Sequence, residues 1–167
     1  TLSKSLSGFG MPMALTLLKP ELDIWEPGEH NGTFRGNNLA FVTARRTLEL
    51  FWSDDRFQQA VARKAERVEK ALMESVQRYP EAQGCPRGLG LMQGIEFADK
   101  ALAGTVSRLC FRRGLLIETA GPGDEVLKLL PPLTISDADL DHGLAIIDDS
   151  IAEAVGAAGL PRRAANG

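Results

Sequence analysis

The chain has 167 residues, 44% of them hydrophobic and 25% charged, an ordinary globular composition with material for one sizeable core or two small ones. With 19 Lys plus Arg against 22 Asp plus Glu, the formal charge of −3 supplies no basic field to neutralise a phosphate backbone, so nucleic acid is not an expected partner. The longest apolar runs, Met11 to Leu18 and Val126 to Leu130, are interrupted by Pro12, Thr16 and Lys128 and fall short of the roughly 20 residues that span a bilayer, so no membrane partner is expected either. Cys85 and Cys110 lack CxxC spacing and suggest neither a metal site nor a disulfide framework, which fits a reducing cytoplasm. Nothing after Thr1 resembles a signal peptide, and a first residue other than Met reads as the start of a fragment.

In chain order, the small residues from Thr1 to Gly10 suit a tight loop, and Met13 to Leu18 predicts a short buried strand. Lys19 to Asn38 is a long irregular stretch holding Pro20, Pro27, Gly28, Gly32 and Gly36, of a length that in a compact domain points to function. Asn38 opens a helix with apolar positions Leu39, Val42, Leu48 and Phe51, and Ser53 or Asp54 offers a cap for a second helix. That second helix carries Phe57, Val61, Ala65, Val68, Leu72 and Val76 at helical spacing, has a basic and acidic opposite face, and stops before Pro80. Further on, Leu89 to Phe97 predicts a strand broken by Gly90 and Gly94, Lys100 to Arg113 a helix, and Leu115 to Thr119 and Glu125 to Leu130 two strands. Ser136 with Asp139 reads as a capping box for a last helix along Leu140, Leu144, Ile147, Ile151 and Val155, with residues 158–167 a frayed tail. The order argues for an α/β fold in which residues 80–157 form a small lobe after a boundary within 52–80.

Two segments carry chemistry. Lys4, in Ser-Lys-Ser-Leu-Ser-Gly-Phe-Gly, is one amine among small side chains that leave room for a bulky planar group; a Schiff-base lysine needs that setting, and the competing reading is an ordinary solvated surface charge. The glycine-spaced loop Gly28 to Asn38 runs into a helix whose N-terminus favours an anion, with the Thr33 hydroxyl as an added donor. The bland alternative is a surface loop capped by Asn37 or Asn38, and no GxxxxGK[ST] pattern supports a nucleotide loop.

Taken together and in order, these segments resemble the class III pyridoxal-phosphate-dependent aminotransferases. The resemblance rests on Ser3-Lys4 followed by Gly10-Met11-Pro12, on His30, Gly32, Thr33, Phe34, Gly36 and Asn37 in the pattern His-x-Gly-Thr-Phe-x-Gly-Asn, and on Pro131-Pro132-Leu133 after a strand. It covers nearly the whole chain to about Ile151. Within the family, the wording from Trp25 to Val42 is most similar to the diaminobutyrate:2-oxoglutarate aminotransferases, especially the ectoine-pathway branch.

The resemblance implies the C-terminal part of a fold-type I large domain with a connecting helix over residues 1–79, followed by a small α/β C-terminal domain over 80–157. It implies pyridoxal 5′-phosphate as cofactor, Lys4 as its covalent anchor and proton carrier, and Thr33 as a phosphate ligand given across a homodimer or higher oligomer with a shared active site. The substrates implied are a small-molecule amino donor and acceptor: glutamate and aspartate 4-semialdehyde, giving 2,4-diaminobutyrate and 2-oxoglutarate. Several relatives place an Arg before Pro-Pro-Leu to clasp a substrate carboxylate, where this chain has Lys128, a point charge without the bidentate fork. Lys128 and Arg35 are both candidates to meet a carboxylate, and both are equally readable as plain surface. No metal is implied. The family's partner for the pyridine nitrogen, its main phosphate anchor and its ring-stacking aromatic all precede the lysine, so this chain alone is expected to be an incomplete enzyme. The competing readings are a non-catalytic C-terminal lobe with dimer or partner contacts, an unrelated phosphate-binding module, and another class III ω-aminotransferase acting on ornithine or 4-aminobutyrate.

Overall fold

The computed structural model describes residues 1–8, 11–33 and 35–157. The expected frayed tail, and Gly10 and Phe34 of the two motifs, lie outside them. The chain divides into two compact units, Thr1–Gln58 and Gln59–Gly167.

In the first unit, β1 (Leu2–Ser3) pairs antiparallel with β2 (Ala14–Leu15), and a 3-10 turn over Lys4–Ser7 follows β1 directly. The strand expected to be buried over Met13 to Leu18 is two residues long and exposed, and among the described residues β1 is the one strand paired with it. Helix α1 (Asn38–Phe51) starts where the sequence placed it, with Asn37 Oδ1 accepting from the backbone N–H groups of Leu39 and Ala40 at 3.0 and 3.3 Å. Such a cap contributes about 1 kcal/mol. Its buried side differs from expectation: Leu39, Val42 and Leu48 are exposed, and the small residues Ala40 and Ala44 face inward. The unit's interior is thin, and only small side chains let α1 approach the turn after β1.

Helix α2 (Arg56–Arg78) spans the division between the units, and Asp54 accepts from the Arg56 N–H at 2.9 Å at its start. In the second unit, Val68 and Leu72 of α2 are buried, and a short turn over Pro80–Ala82 ends the helix as the proline requires. Strands β3 (Gly84–Leu89) and β4 (Met92–Phe97) form a hairpin through Gly90 and Leu91. β3 is an element that the sequence reading missed: Pro86, Gly84 and Gly88 mask it, and proline is tolerated because β3 lies at the sheet edge. After α3 (Lys100–Arg112) come β5 (Glu118–Ala120), β6 (Val126–Leu129) and α4 (Asp137–Ala157). The sheet is antiparallel throughout, in the order β3-β4-β6-β5. α4 opens as expected, with Ser136 Oγ accepting from the Asp139 N–H at 3.0 Å and donating to the Asp139 carboxylate at 2.6 Å.

Strand alternation decides what the sheet buries. Ile95, Phe97, Leu127 and Leu129 point to one face and form the core with Val106, Cys110, Leu140, Ile147 and Ile151 of the helices. Each fully buried large aliphatic side chain contributes about 1.5–3 kcal/mol. The opposite face carries one residue per strand across the sheet, Arg87, Gly94, Lys128 and Glu118, by the observed register. Leu89, Met92, Leu116 and Leu130 are exposed beside this row.

Candidate active site

Lys4 sits at a sharp change of direction. Its backbone is left-handed, at φ 58°, a conformation that costs a residue with a Cβ about 1–3 kcal/mol and persists where its surroundings impose it. Those surroundings are visible. Ser7 is fully buried and its hydroxyl donates to the Met11 carbonyl, tying the two ends of the loop. The Gly8 N–H donates to the Ser5 carbonyl at 3.0 Å. Gly8 is itself left-handed, and a Cβ there would lie 2.4 Å from Thr47 Oγ1 of α1, so only glycine permits this approach. The Lys4 side chain is left exposed, and none of the ion pairs among the described residues engages it.

The second segment is held by its own polar groups. The Glu26 N–H donates to the Glu29 carboxylate at 2.9 Å, and Trp25 meets His30 edge to face with ring centroids 5.1 Å apart. The Arg35 guanidinium donates to the His30 carbonyl, so this candidate cation is engaged in shaping its own loop. Thr33 lies exposed in the turn, with no hydrogen bond from its hydroxyl among the described residues. The N–H groups of Leu39 and Ala40 are taken by Asn37, so at the helix start the capped-loop reading describes the geometry.

Lys128 belongs to the second unit. Its Nζ is 2.8 Å from Glu118 Oε1 across the β5–β6 pair, where the register sets the two residues directly opposite. The lysine is 29% exposed and the glutamate 66%, so the ammonium is the better anchored partner. One strand beyond Gly94, Arg87 pairs with Glu96 at 2.8 Å, an interaction that raises the guanidinium further above its ordinary value. Both Lys128 and Glu118 border a cleft of about 550 Å³ whose walls are largely apolar, among them Leu115, Ile117, Leu129, Ile135 and Leu144. Glu118 is not a residue that the sequence singles out; the five-residue connection Gly121 to Glu125 sets Ala120 opposite Val126 and so Glu118 opposite Lys128.

The residues present fit one part of a pyridoxal-phosphate site. An exposed amine on a braced turn among small side chains matches a covalent anchor, and an open threonine hydroxyl matches one phosphate donor. No group of three or more His, Cys, Asp or Glu side chains suited to a metal occurs among the described residues, and none of their helices is long and apolar enough to cross a membrane.

Comparison with known proteins agrees with the motifs. The family model described as aminotransferase class-III matches residues 1–151. A diaminobutyrate–2-oxoglutarate transaminase of Vibrio cholerae is 56% identical over 153 residues, which is 92% of this chain and 37% of the relative. The chain thus spans little more than a third of the length of that relative. Among solved structures, a lysine aminotransferase from M. tuberculosis superposes with a TM-score of 0.68 at 28% identity, over 77% of this chain and 29% of that one. An ornithine aminotransferase from Plasmodium yoelii shares the fold at a TM-score of 0.75 and 24% identity, over 92% of this chain and 41% of its own. The resemblance read from three short motifs, including its diaminobutyrate branch, recurs in these matches.

Proposed function

Because the chain belongs to the class III aminotransferases, we propose that it is the C-terminal part of an enzyme that moves an amino group between glutamate and aspartate 4-semialdehyde, giving 2,4-diaminobutyrate and 2-oxoglutarate. The observation that carries this reading is 56% identity, over 92% of the chain, to a protein named for diaminobutyrate and 2-oxoglutarate.

Class III aminotransferases use pyridoxal phosphate, and the bound cofactor supplies the electron sink of the reaction. The chain's own residues do the rest. Lys4 would anchor the cofactor through its amine and carry a proton to and from the substrate carbon. Thr33 donates a hydrogen bond to the cofactor phosphate bound by the partner subunit, so the enzyme works as a homodimer or a larger assembly of shared sites. Lys128 meets a substrate carboxylate. Arg35, held to the His30 carbonyl, keeps the Thr33 loop in shape. Residues 1–79 complete the cofactor-binding domain of a cytoplasmic ectoine-pathway enzyme, and residues 80–157 form its small domain.

The test is the full-length protein carrying Lys4→Ala. The expected result is loss of the cofactor's visible absorption and of at least the roughly 10²- to 10⁴-fold that general acid–base catalysis contributes, with the fold retained. Turnover near the unaltered rate sinks the assignment of Lys4. A panel of donors and acceptors checks the substrates: a clear preference for 4-aminobutyrate or ornithine as donor removes the diaminobutyrate branch and leaves the family.

A further inference from the structure

We propose, resting on the reading of Lys4 as the cofactor's anchor, that Ser7 is a positioning residue for that lysine: its buried hydroxyl holds the turn in the backbone form from which the Lys4 stem sets out.

Lys4 is the first residue after the Ser3–Ala14 pair that closes β1 on β2, and it leaves the strand left-handed at φ 58°. Its own side chain is exposed and does not account for that form. The cause lies further along the turn. Among the described residues of the first unit the buried ones are Ser7, Ala40 and Ala44, so the inside of this unit is the contact between the Lys4 turn and one side of α1. Ser7 is fully buried, and its hydroxyl donates to the Met11 carbonyl. Gly8 follows, with its N–H on the Ser5 carbonyl and its bare Cα set against Thr47 Oγ1, where a Cβ would collide. Ala40, Ala44 and Thr47 share one face of α1, and the Thr47 hydroxyl is fixed by its bond to the Thr43 carbonyl at 2.9 Å. The seat is rigid, and the Ser7 hydroxyl is the fastening.

Alanine at position 7 would fill the same space but leave the Met11 carbonyl without its donor. The loop then gains by shifting until that carbonyl reaches water, and the turn shifts with it. Once released, a lysine favours other backbone forms over the left-handed one by about tenfold. In those forms its Cα–Cβ bond points elsewhere. The stem torsions of Lys4 are free in either case, so what Ser7 sets is the place and direction from which the stem starts. The fraction of turns in the competent form then scales the rate and apparent affinity with which the amine captures an aldehyde.

The experiment uses the full-length protein freed of cofactor and follows capture of two aldehydes at Lys4, pyridoxal phosphate and pyridoxal, trapped with borohydride and located by peptide mass. Ser7→Ala is expected to slow both about tenfold with the fold retained, because the fault lies in the start of the lysine stem and not in the phosphate contacts. Hydrogen exchange of the Gly8 amide, read with no aldehyde present, should quicken by about the same factor. Gly8→Ala should slow capture through its collision with Thr47, and Gly8→Ala combined with Thr47→Ala should regain part of the loss. Capture of both aldehydes at the unaltered rate in Ser7→Ala overturns the proposal and leaves the Lys4 reading standing. A loss confined to pyridoxal phosphate overturns it too, since Ser7 would then serve the phosphate. Should Ser7→Ala fail to fold, the Gly8 variants decide, and a double variant no faster than Gly8→Ala overturns the proposal. If Lys4→Ala keeps its turnover, the anchor reading falls and this one with it.

Discussion

Removing the Asp148 carboxylate should loosen the second unit along the seam between α2 and α4. Its carboxylate, on α4, accepts from Ser75 Oγ at 2.6 Å, from Tyr79 Oη at 3.3 Å and from the Arg78 guanidinium, all three from α2 and the residue after it. The acid is 22% exposed, whereas Arg78 is 55% exposed and will rehydrate when released, so its share is near zero. Ser75 is 5% exposed and has no such recourse. Leaving its hydroxyl unpaired costs about 1–3 kcal/mol, and the long Tyr79 contact adds a fraction of that, for about 2–3 kcal/mol in Asp148→Ala. At 1.4 kcal/mol per factor of ten, the α2–α4 seam should open roughly 30- to 140-fold more often. Native-state hydrogen exchange of the α2 and α4 amides in the full-length protein measures this directly. Ser75→Ala combined with Asp148→Ala should lose less than the two single losses added, since the orphaned hydroxyl is gone. A change below about 0.5 kcal/mol in Asp148→Ala would falsify the reasoning, because it would mean that Ser75 finds another partner at no cost.

Other outcomes follow from single positions. Mixed dimers of the full-length protein, Lys4→Ala with Thr33→Ala, should recover a substantial fraction of activity, because a shared site leaves one of the two intact; verified mixed dimers without recovery would rule out sharing. Gly94→Ala sets a Cβ 2.4 Å from the Leu127 carbonyl and should lower stability by about 1–3 kcal/mol, read as a lower midpoint of thermal unfolding in the full-length protein. Burial pushes the Cys110 thiol up, so the unfolded chain ionises there first. Stability from this group is complete below the ordinary thiol value and falls as pH rises through the elevated one, and Cys110→Ala should flatten that alkaline decline. A thiol reagent should modify exposed Cys85 promptly and buried Cys110 only on opening; equal rates would contradict the burial of Cys110.

What could be read from the sequence followed the strength of its periodic signals. α2, α3 and α4 have long runs at helical spacing with a proline stop or a polar cap, and the helices lie within a residue or two of where those signals place them. β3 was not, because Cys85-Pro86-Arg87-Gly88 has no alternation and is held as a strand by its pairing with β4, a long-range fact. The inward face of α1 was misjudged for a related reason: hydrophobicity identified Leu39, Val42 and Leu48, whereas close approach to the Lys4 turn selects small residues. At the candidate site, Lys4 and Thr33 were visible through motif wording, and Glu118 became visible only when strand register set it beside Lys128.

The edge strand β3 also limits how the sheet can grow. Pro86 has no N–H to offer a neighbour, Gly88 is left-handed with its Cβ direction filled by the Met92 carbonyl at 2.2 Å, and Arg87 is tethered to Glu96. A fifth strand arriving on that side would meet a missing donor, a kinked backbone and a fixed charge within three consecutive residues. The sheet therefore has a finished margin at β3, a safeguard against edge-to-edge aggregation encoded in a segment whose composition looks like a turn.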